Sequence, residues 1–128
     1  MIALDTSSLV AYLSGDSGGD TDAVQIALEQ HQACLPPAVL AELLSDPKLP
    51  AHAAALFRAL PLLALGDGYW ERVGSLRAAV IARGRKARLA DALIAQSCLD
   101  HDVPLVTRDA DFWNFARVKP LRLVLAKP

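Results

Sequence analysis

Cysteine and histidine are scarce in this chain: two cysteines, Cys34 and Cys98, and three histidines, His31, His52 and His101. The cysteines follow no metal-ligand spacing and sit among apolar neighbours, which predicts buried, reduced thiols and argues against a disulfide framework or a zinc site. The histidines are scattered, and each reads as a surface or helix-end residue. A nucleophile built on Cys or His therefore has no convincing candidate. No apolar run approaches the roughly 20 residues of a membrane span, and Met1-Ile2-Ala3-Leu4-Asp5 enters an apolar strand with no basic lead-in, so a soluble, cytoplasmic protein is expected. Internal repeats, low-complexity tracts and interdomain linkers are also lacking. The 128 residues then read as one domain over 1–128, and a content of 53% hydrophobic and 21% charged residues supports a packed core over disorder.

Net charge is only −1, yet it is unevenly spread: residues 1–64 hold two basic and seven acidic residues, whereas residues 65–128 hold eleven basic and seven acidic. The C-terminal half is thus expected to supply a positive surface.

Apolar periodicity and turn signals divide the chain. Ile2-Ala3-Leu4 reads as a buried strand, and Ser7 or Ser8 begins a helix through Leu9, Val10 and Leu13. Gly15 to Asp20 reads as a flexible loop, followed by a helix from about Asp22. Cys34-Leu35 is a second strand, and Pro37 opens a helix carrying Val39, Leu40, Leu43 and Leu44, because proline's missing N–H costs nothing in a first turn. Ala51 to Leu60 reads as a helix, Leu62 to Leu65 as a weak strand, and Gly66-Asp67-Gly68 as a turn. A long helix follows from Tyr69 to about Ala82, with Trp70, Val73, Leu76 and Ala79 or Val80 at helical spacing. Arg83-Gly84-Arg85-Lys86 interrupts it before an apolar helix over Leu89 to Leu99. Pro104 to Thr107 and Leu121 to Leu125 are the last strands. Strands separated by helices imply an α/β fold with a central parallel sheet flanked by helices.

Four acids stand where that fold brings strand ends together: Asp5 after the first strand, Glu42 in the third helix, Asp91 in the first turn of an apolar helix, and Asp109 after a late strand. Taken singly, each has an ordinary reading. Asp5 can cap the helix that starts at Thr6, Asp91 can serve the helix dipole, which helps keep it ionised, Glu42 can be helix-surface charge, and Asp109 suits a turn. Taken together they make a cluster of hard oxygen ligands that repel one another unless a cation neutralises them, and Mg²⁺ or Mn²⁺ prefers such ligands. Ligands in open parallel sheets bind at the carboxyl ends of strands, where Asp5 and Asp109 both fall. A metal-dependent nuclease follows from this constellation, since phosphodiester hydrolysis can run on carboxylate-held metal alone.

Leu4-Asp5-Thr6-Ser7-Ser8-Leu9-Val10-Ala11-Tyr12-Leu13, Val39-Leu40-Ala41-Glu42-Leu43, Ala90-Asp91-Ala92-Leu93-Ile94-Ala95 and Leu105-Val106-Thr107-Arg108-Asp109-Ala110-Asp111-Phe112 resemble, in order and spacing, the four motifs of PIN-domain ribonucleases. The match is most like the VapC-type toxins of bacterial toxin–antitoxin modules, and it covers essentially the whole chain. The resemblance implies a PIN-like α/β/α sandwich and an endoribonuclease using Mg²⁺ or Mn²⁺. It implies Asp5, Glu42, Asp91 and Asp109 as the catalytic, metal-binding acids, with Asp111 as a fifth candidate or as the cap of a short helix at Phe112. Thr6 and Thr107 would support Asp5 and Asp109 through their hydroxyls. A 5′-phosphate and a 3′-hydroxyl are the expected products, and the paired histidines of metal-independent ribonucleases are missing. A cognate antitoxin protein and a homodimer, with the Tyr69–Ala82 helix as interface, are further implications. The surface around Leu9, Leu13, Val24, Leu40 and Leu44 is a candidate groove for an amphipathic antitoxin segment.

RNA also needs cations for its phosphates, and Arg83, Arg85, Lys86, Arg88 and Arg108 flank Asp91 and Asp109. The competing reading is a solvated, solubilising loop. Trp70, Trp113 and Phe112 are candidates for stacking on bases, with core or dimer packing the stronger reading for Trp70. A haloacid-dehalogenase-type phosphatase needs a second Asp two residues after the first, where Ser7 stands, and a receiver-like domain needs an acidic pair that is missing. The remaining alternative is a PIN-like module that binds RNA or protein without cutting.

Overall fold

The computed structural model describes residues 1–125. Strand β1 (Ile2–Leu4) pairs in parallel with β2 (Ala33–Cys34) on one side and β3 (Leu105–Val106) on the other, and β3 pairs with β4 (Leu123–Val124). The order is β2-β1-β3-β4, every pair parallel. Alternating strands and helices leave no other economical pairing, because parallel neighbours need a crossover between them. The chain reverses direction across the sheet between β1 and β3. That is the switch point at which open α/β sheets leave a crevice at their carboxyl edge.

The helices are α1 (Thr6–Leu13), α2 (Gly19–Glu29), α3 (Pro37–Leu44), α4 (Ala51–Ala59), α5 (Tyr69–Ala82), α6 (Leu89–His101) and the single turn α7 (Trp113–Ala116), the last preceded by a 3₁₀ turn at Ala110–Phe112. Helix α2 lies against β2, β3 and β4, α1 packs on α2 and α3, and α6 packs on α3 and α5. Ala3, Leu4, Cys34, Leu35, Leu105 and Val106 are fully buried between these helices, together with Phe57, Ile94, Phe112 and Phe115. This is the expected parallel sheet flanked by helices. Cys34 and Cys98 are both buried and unbridged, as expected, and burial pushes both thiols up from their ordinary range.

Several boundaries differ from the sequence reading, each for a physical reason. Helix α2 begins at Gly19, before Asp22, because Asp20 is fully buried in its first turn against Ser8 and Arg108; tertiary bonding overrides the Gly/Ser loop signal. The strand expected over Leu62–Leu65 shrinks to one parallel bridge from Leu62 to Leu35, framed by Leu35 N–H donating to Pro61 O and Leu63 N–H donating to Leu35 O. The last strand covers only Leu123–Val124, within the expected Leu121 to Leu125. In α5 the buried stripe is Tyr69, Val73, Leu76 and Val80, while Trp70 is 64% exposed and packs edge-on against Tyr69. Spacing of four, three and four residues fits Tyr69 better than Trp70, and the buried Tyr69 hydroxyl donates to Leu93 O at 2.6 Å. Among the described residues no helix is long and apolar enough to cross a membrane.

Candidate metal centre

Asp5 leaves β1 at the carboxyl edge, 4% exposed, in the N-cap position of α1. Its side chain makes no capping bond. Two hydroxyls converge instead on its Oδ2, from Ser7 at 2.6 Å and from the fully buried Thr107 at 2.8 Å. Thr107 follows β3, which pairs directly with β1, so sheet register sets this contact. The same Thr107 Oγ1 accepts the Asp109 N–H at 3.0 Å, and Ser7 Oγ accepts the Arg108 N–H at 3.0 Å. Asp109 then caps the 3₁₀ turn by accepting Asp111 N–H at 2.9 Å. The capping role expected of Asp111 therefore belongs to Asp109.

Glu42, on the exposed side of α3, turns toward the site: its Oε1 accepts the Thr6 hydroxyl at 2.7 Å. Thr6 thus supports Glu42, where support for Asp5 was expected, and Thr107 supports Asp5 by donation and Asp109 only through its backbone. Asp91 sits in the first turn of α6 and is 8% exposed. Carboxylate oxygens of Asp91, Asp109 and Asp111 all lie within 4.8 Å of one another.

Electrostatics tie four of the acids together. Burial, then the charges of Asp109, Asp5 and Glu42, push Asp91 up from 3.8 to about 6, against a smaller pull from Arg88. The helix dipole can help keep Asp91 ionised, and burial with three neighbouring carboxylates acts in the opposite direction. Asp5 is also raised, chiefly by burial, and Glu42 adds to this while the Ser7 and Thr107 hydroxyls oppose it. The donor set is entirely carboxylate oxygen, and two of its members carry a penalty for charge that a divalent cation would remove, so the residues present fit Mg²⁺ or Mn²⁺.

Arg83, Arg85, Lys86 and Arg88 are exposed on the loop between α5 and α6, which Gly84 turns with φ +72°. Lys86 pairs with Asp111 at 3.2 Å, and Arg83 Nη1 donates to Arg117 O at 3.2 Å. Arg108, expected on an RNA path, instead directs its guanidinium at Asp20: Nε donates to Oδ2 at 2.9 Å and Nη2 to Oδ1 at 2.8 Å. Phe112, a stacking candidate, is fully buried beside Phe115, while Trp113 is 44% exposed. In the expected partner groove, Leu9 and Val24 are fully buried core, Leu40 is half-buried, and Leu13 and Leu44 are exposed, as is neighbouring Val10. His101 ends α6 with Nε2 2.8 Å from Ala64 O, as a helix-end histidine.

Sequence reasoning missed Ser7 as an Asp5 partner and the Ser8–Asp20–Arg108 network behind it. One signal was available: Ser7 stands two residues after Asp5 in the first turn of α1, where its hydroxyl can reach back.

Solved structures of the same fold include the VapBC2 complex of Rickettsia felis bound to a promoter DNA fragment, with a TM-score of 0.73 and 23% identity over 96% of this chain and 97% of that one. VapBC-5 from Mycobacterium tuberculosis gives a TM-score of 0.69 and 20% identity over 97% of both chains. DNA-bound VapBC from Salmonella typhimurium gives 0.69 and 19% over 96% of this chain and 97% of that one. No curated protein matches by sequence. The PIN domain pattern itself matches residues 2–119, a span holding Asp5, Glu42, Asp91, Asp109 and Asp111, and the chain belongs to the PIN domain family.

Proposed function

We propose that this chain is a metal-dependent endoribonuclease and the toxin of a type II toxin–antitoxin pair. What carries the reading is that Asp91, in α6, lies with Asp109 and Asp111 in one carboxylate group and is pushed up to about 6 by burial and by the charges of Asp109, Asp5 and Glu42. Folding does not gather that much like charge into a crevice without cost, so a cationic ligand is the chemical explanation.

Asp5, Glu42, Asp91 and Asp109 would hold Mg²⁺ or Mn²⁺, with Asp111 as a fifth candidate ligand beside Asp91 and Asp109. A divalent ion in such a site offsets phosphate charge and makes a water acidic enough to attack at neutral pH. Ser7 and Thr107 fix the Asp5 carboxylate, and Thr6 fixes Glu42, so the acids are preorganised. Arg83, Arg85, Lys86 and Arg88 would draw the RNA backbone toward this edge, and the exposed Trp113, two residues beyond Asp111, would stack on a base. Arg108 is left out of that path by its pairing with Asp20.

The neighbouring folds were solved as VapBC complexes, which supports an antitoxin partner here. Val10 and Leu13 on α1 and Leu44 on α3, with half-buried Leu40, form an apolar strip suited to an amphipathic helix. A cytoplasmic homodimer belongs to the same proposal, and exposed Trp70 and Ile81 on α5 supply apolar surface for it.

The test is cleavage of a mixed cellular RNA pool by the purified, antitoxin-free protein with Mg²⁺ or Mn²⁺, beside EDTA and Asp91→Asn. Metal-dependent cutting that leaves 5′-phosphates and is absent from the variant is the expected result. RNA or partner binding that survives in Asp91→Asn, with no cutting by either protein, would instead identify a non-catalytic binding module.

A further inference from the structure

Lys86 is not placed like the other loop cations. Asn114 Nδ2 donates to its carbonyl at 3.0 Å, and Arg77 Nε donates to the next carbonyl, Ala87 O, at 2.8 Å. Ala87 is buried at 8% exposure, so the backbone on this side of the loop is fixed from both α7 and α5. From that fixed point the Lys86 ammonium reaches Asp111 Oδ2 at 3.2 Å. Asp111 belongs to the trio whose carboxylate oxygens lie within 4.8 Å of one another, with Asp91 and Asp109. Among the described residues, Arg85 and Arg88 form no ion pair, although Arg88 carries its charge close enough to pull on Asp91.

We propose that Lys86 is a built-in competitor of the divalent ion: its ammonium neutralises Asp111 in the metal-free protein and yields that carboxylate when an ion enters the trio. The proposal rests on the reading of this edge as a metal centre. An exposed lysine–carboxylate pair ordinarily contributes little, because water screens it and long side chains lose entropy in forming it. Here the lysine backbone is already held, and the carboxylate lies among like charges that gain from any cation. Giving up the contact returns a free ammonium to the mouth of the site, where a phosphate backbone is the available anion. Metal entry and RNA capture are thereby coupled through one side chain.

Calorimetric titration of the full-length protein with Mn²⁺ tests this, using wild type, Lys86→Gln and Lys86→Arg, each checked for folding by circular dichroism. Lys86→Gln should bind Mn²⁺ tighter by up to about fivefold, the size of a single screened ion pair, and Lys86→Arg should bind like wild type. In wild type, Mn²⁺ should also raise the reactivity of Lys86 toward an amine-acylating reagent, read by mass spectrometry, with exposed Lys48 as the unchanged control. Equal or weaker Mn²⁺ binding by Lys86→Gln, or Lys86 reactivity indifferent to Mn²⁺, overturns the role of Lys86 while leaving the metal centre standing. Absence of Mn²⁺ binding in all three proteins overturns both.

Discussion

Thr107 joins more of the site than any of its acids does. With no exposed surface, its hydroxyl donates to Asp5 Oδ2, accepts from the Asp109 N–H and lies 3.3 Å from Ser7 Oγ. Thr107→Val keeps the shape and deletes the oxygen, leaving a backbone donor and a buried carboxylate each short of a partner. Unfolding in urea should show a loss of about 1–3 kcal/mol, the usual cost of orphaning buried polar groups, and Thr107→Ser should recover most of it. A valine variant as stable as wild type would mean that water replaces the hydroxyl and that the Asp5–Asp109 link is dispensable. At this scale the acids were legible in the sequence because strand ends and helix starts can be located from apolar patterning. The Thr107–Asp5 contact was not, since it depends on the pairing of β1 with β3, and no local pattern carries that register.

Among the elements, α2 and the segment after β3 are held together by one buried ion pair. Asp20, fully buried in the first turn of α2, receives the Ser8 hydroxyl at 2.8 Å and two bonds from Arg108, whose side chain is 31% exposed. Hydrogen bonding from Arg108 holds the Asp20 carboxyl below its usual range despite burial. A depressed carboxylate contributes stability that is present above 3.8 and is lost as pH falls through the lower folded value. Arg108→Ala should therefore do two things. It should lower stability in urea at neutral pH, because the Asp20 carboxylate loses its cation, and it should flatten the loss of stability on acidification below pH ~4. If the variant keeps the wild-type acid profile, Asp20 is not the group responsible. The sequence reads residues 15–20 as a flexible loop because Gly and Ser dominate it; residues 15–18 do lie outside any helix, while Gly19 and Asp20 join α2, with Asp20 bonded to a partner 88 residues away. The same dependence on distant contacts reduced Leu62–Leu65 to a single bridge, while α1, α3, α4, α5 and α6, whose apolar stripes or Pro start signals are local, fall close to their expected limits.

Over the whole molecule, the fold concentrates negative charge at one sheet edge although the net charge is only −1. Asp5 and Asp91 are both raised, Asp91 to about 6, with burial the first cause for each. A carboxyl whose folded value exceeds its unfolded value of 3.8 retains its proton in the native state after the unfolded chain has released it. Stability from Asp91 is then fully present below 3.8 and is lost as pH rises through about 6, the opposite direction to Asp20 and in a higher window. EDTA-treated protein should consequently melt at lower temperature at pH 7 than at pH 4.5. Asp91→Asn, which cannot ionise, should lose much of that difference. Mg²⁺ added at pH 7 should raise the wild-type melting temperature, since a ligand that binds only the folded state stabilises it by mass action, and should do so far less in Asp91→Asn. Thermal melts at the two pH values, with and without Mg²⁺, distinguish the two sources of pH dependence. A wild-type melting temperature that rises steadily from pH 4.5 to 7 without metal would place the charge penalty elsewhere and remove the electrostatic reason for a cation at this edge.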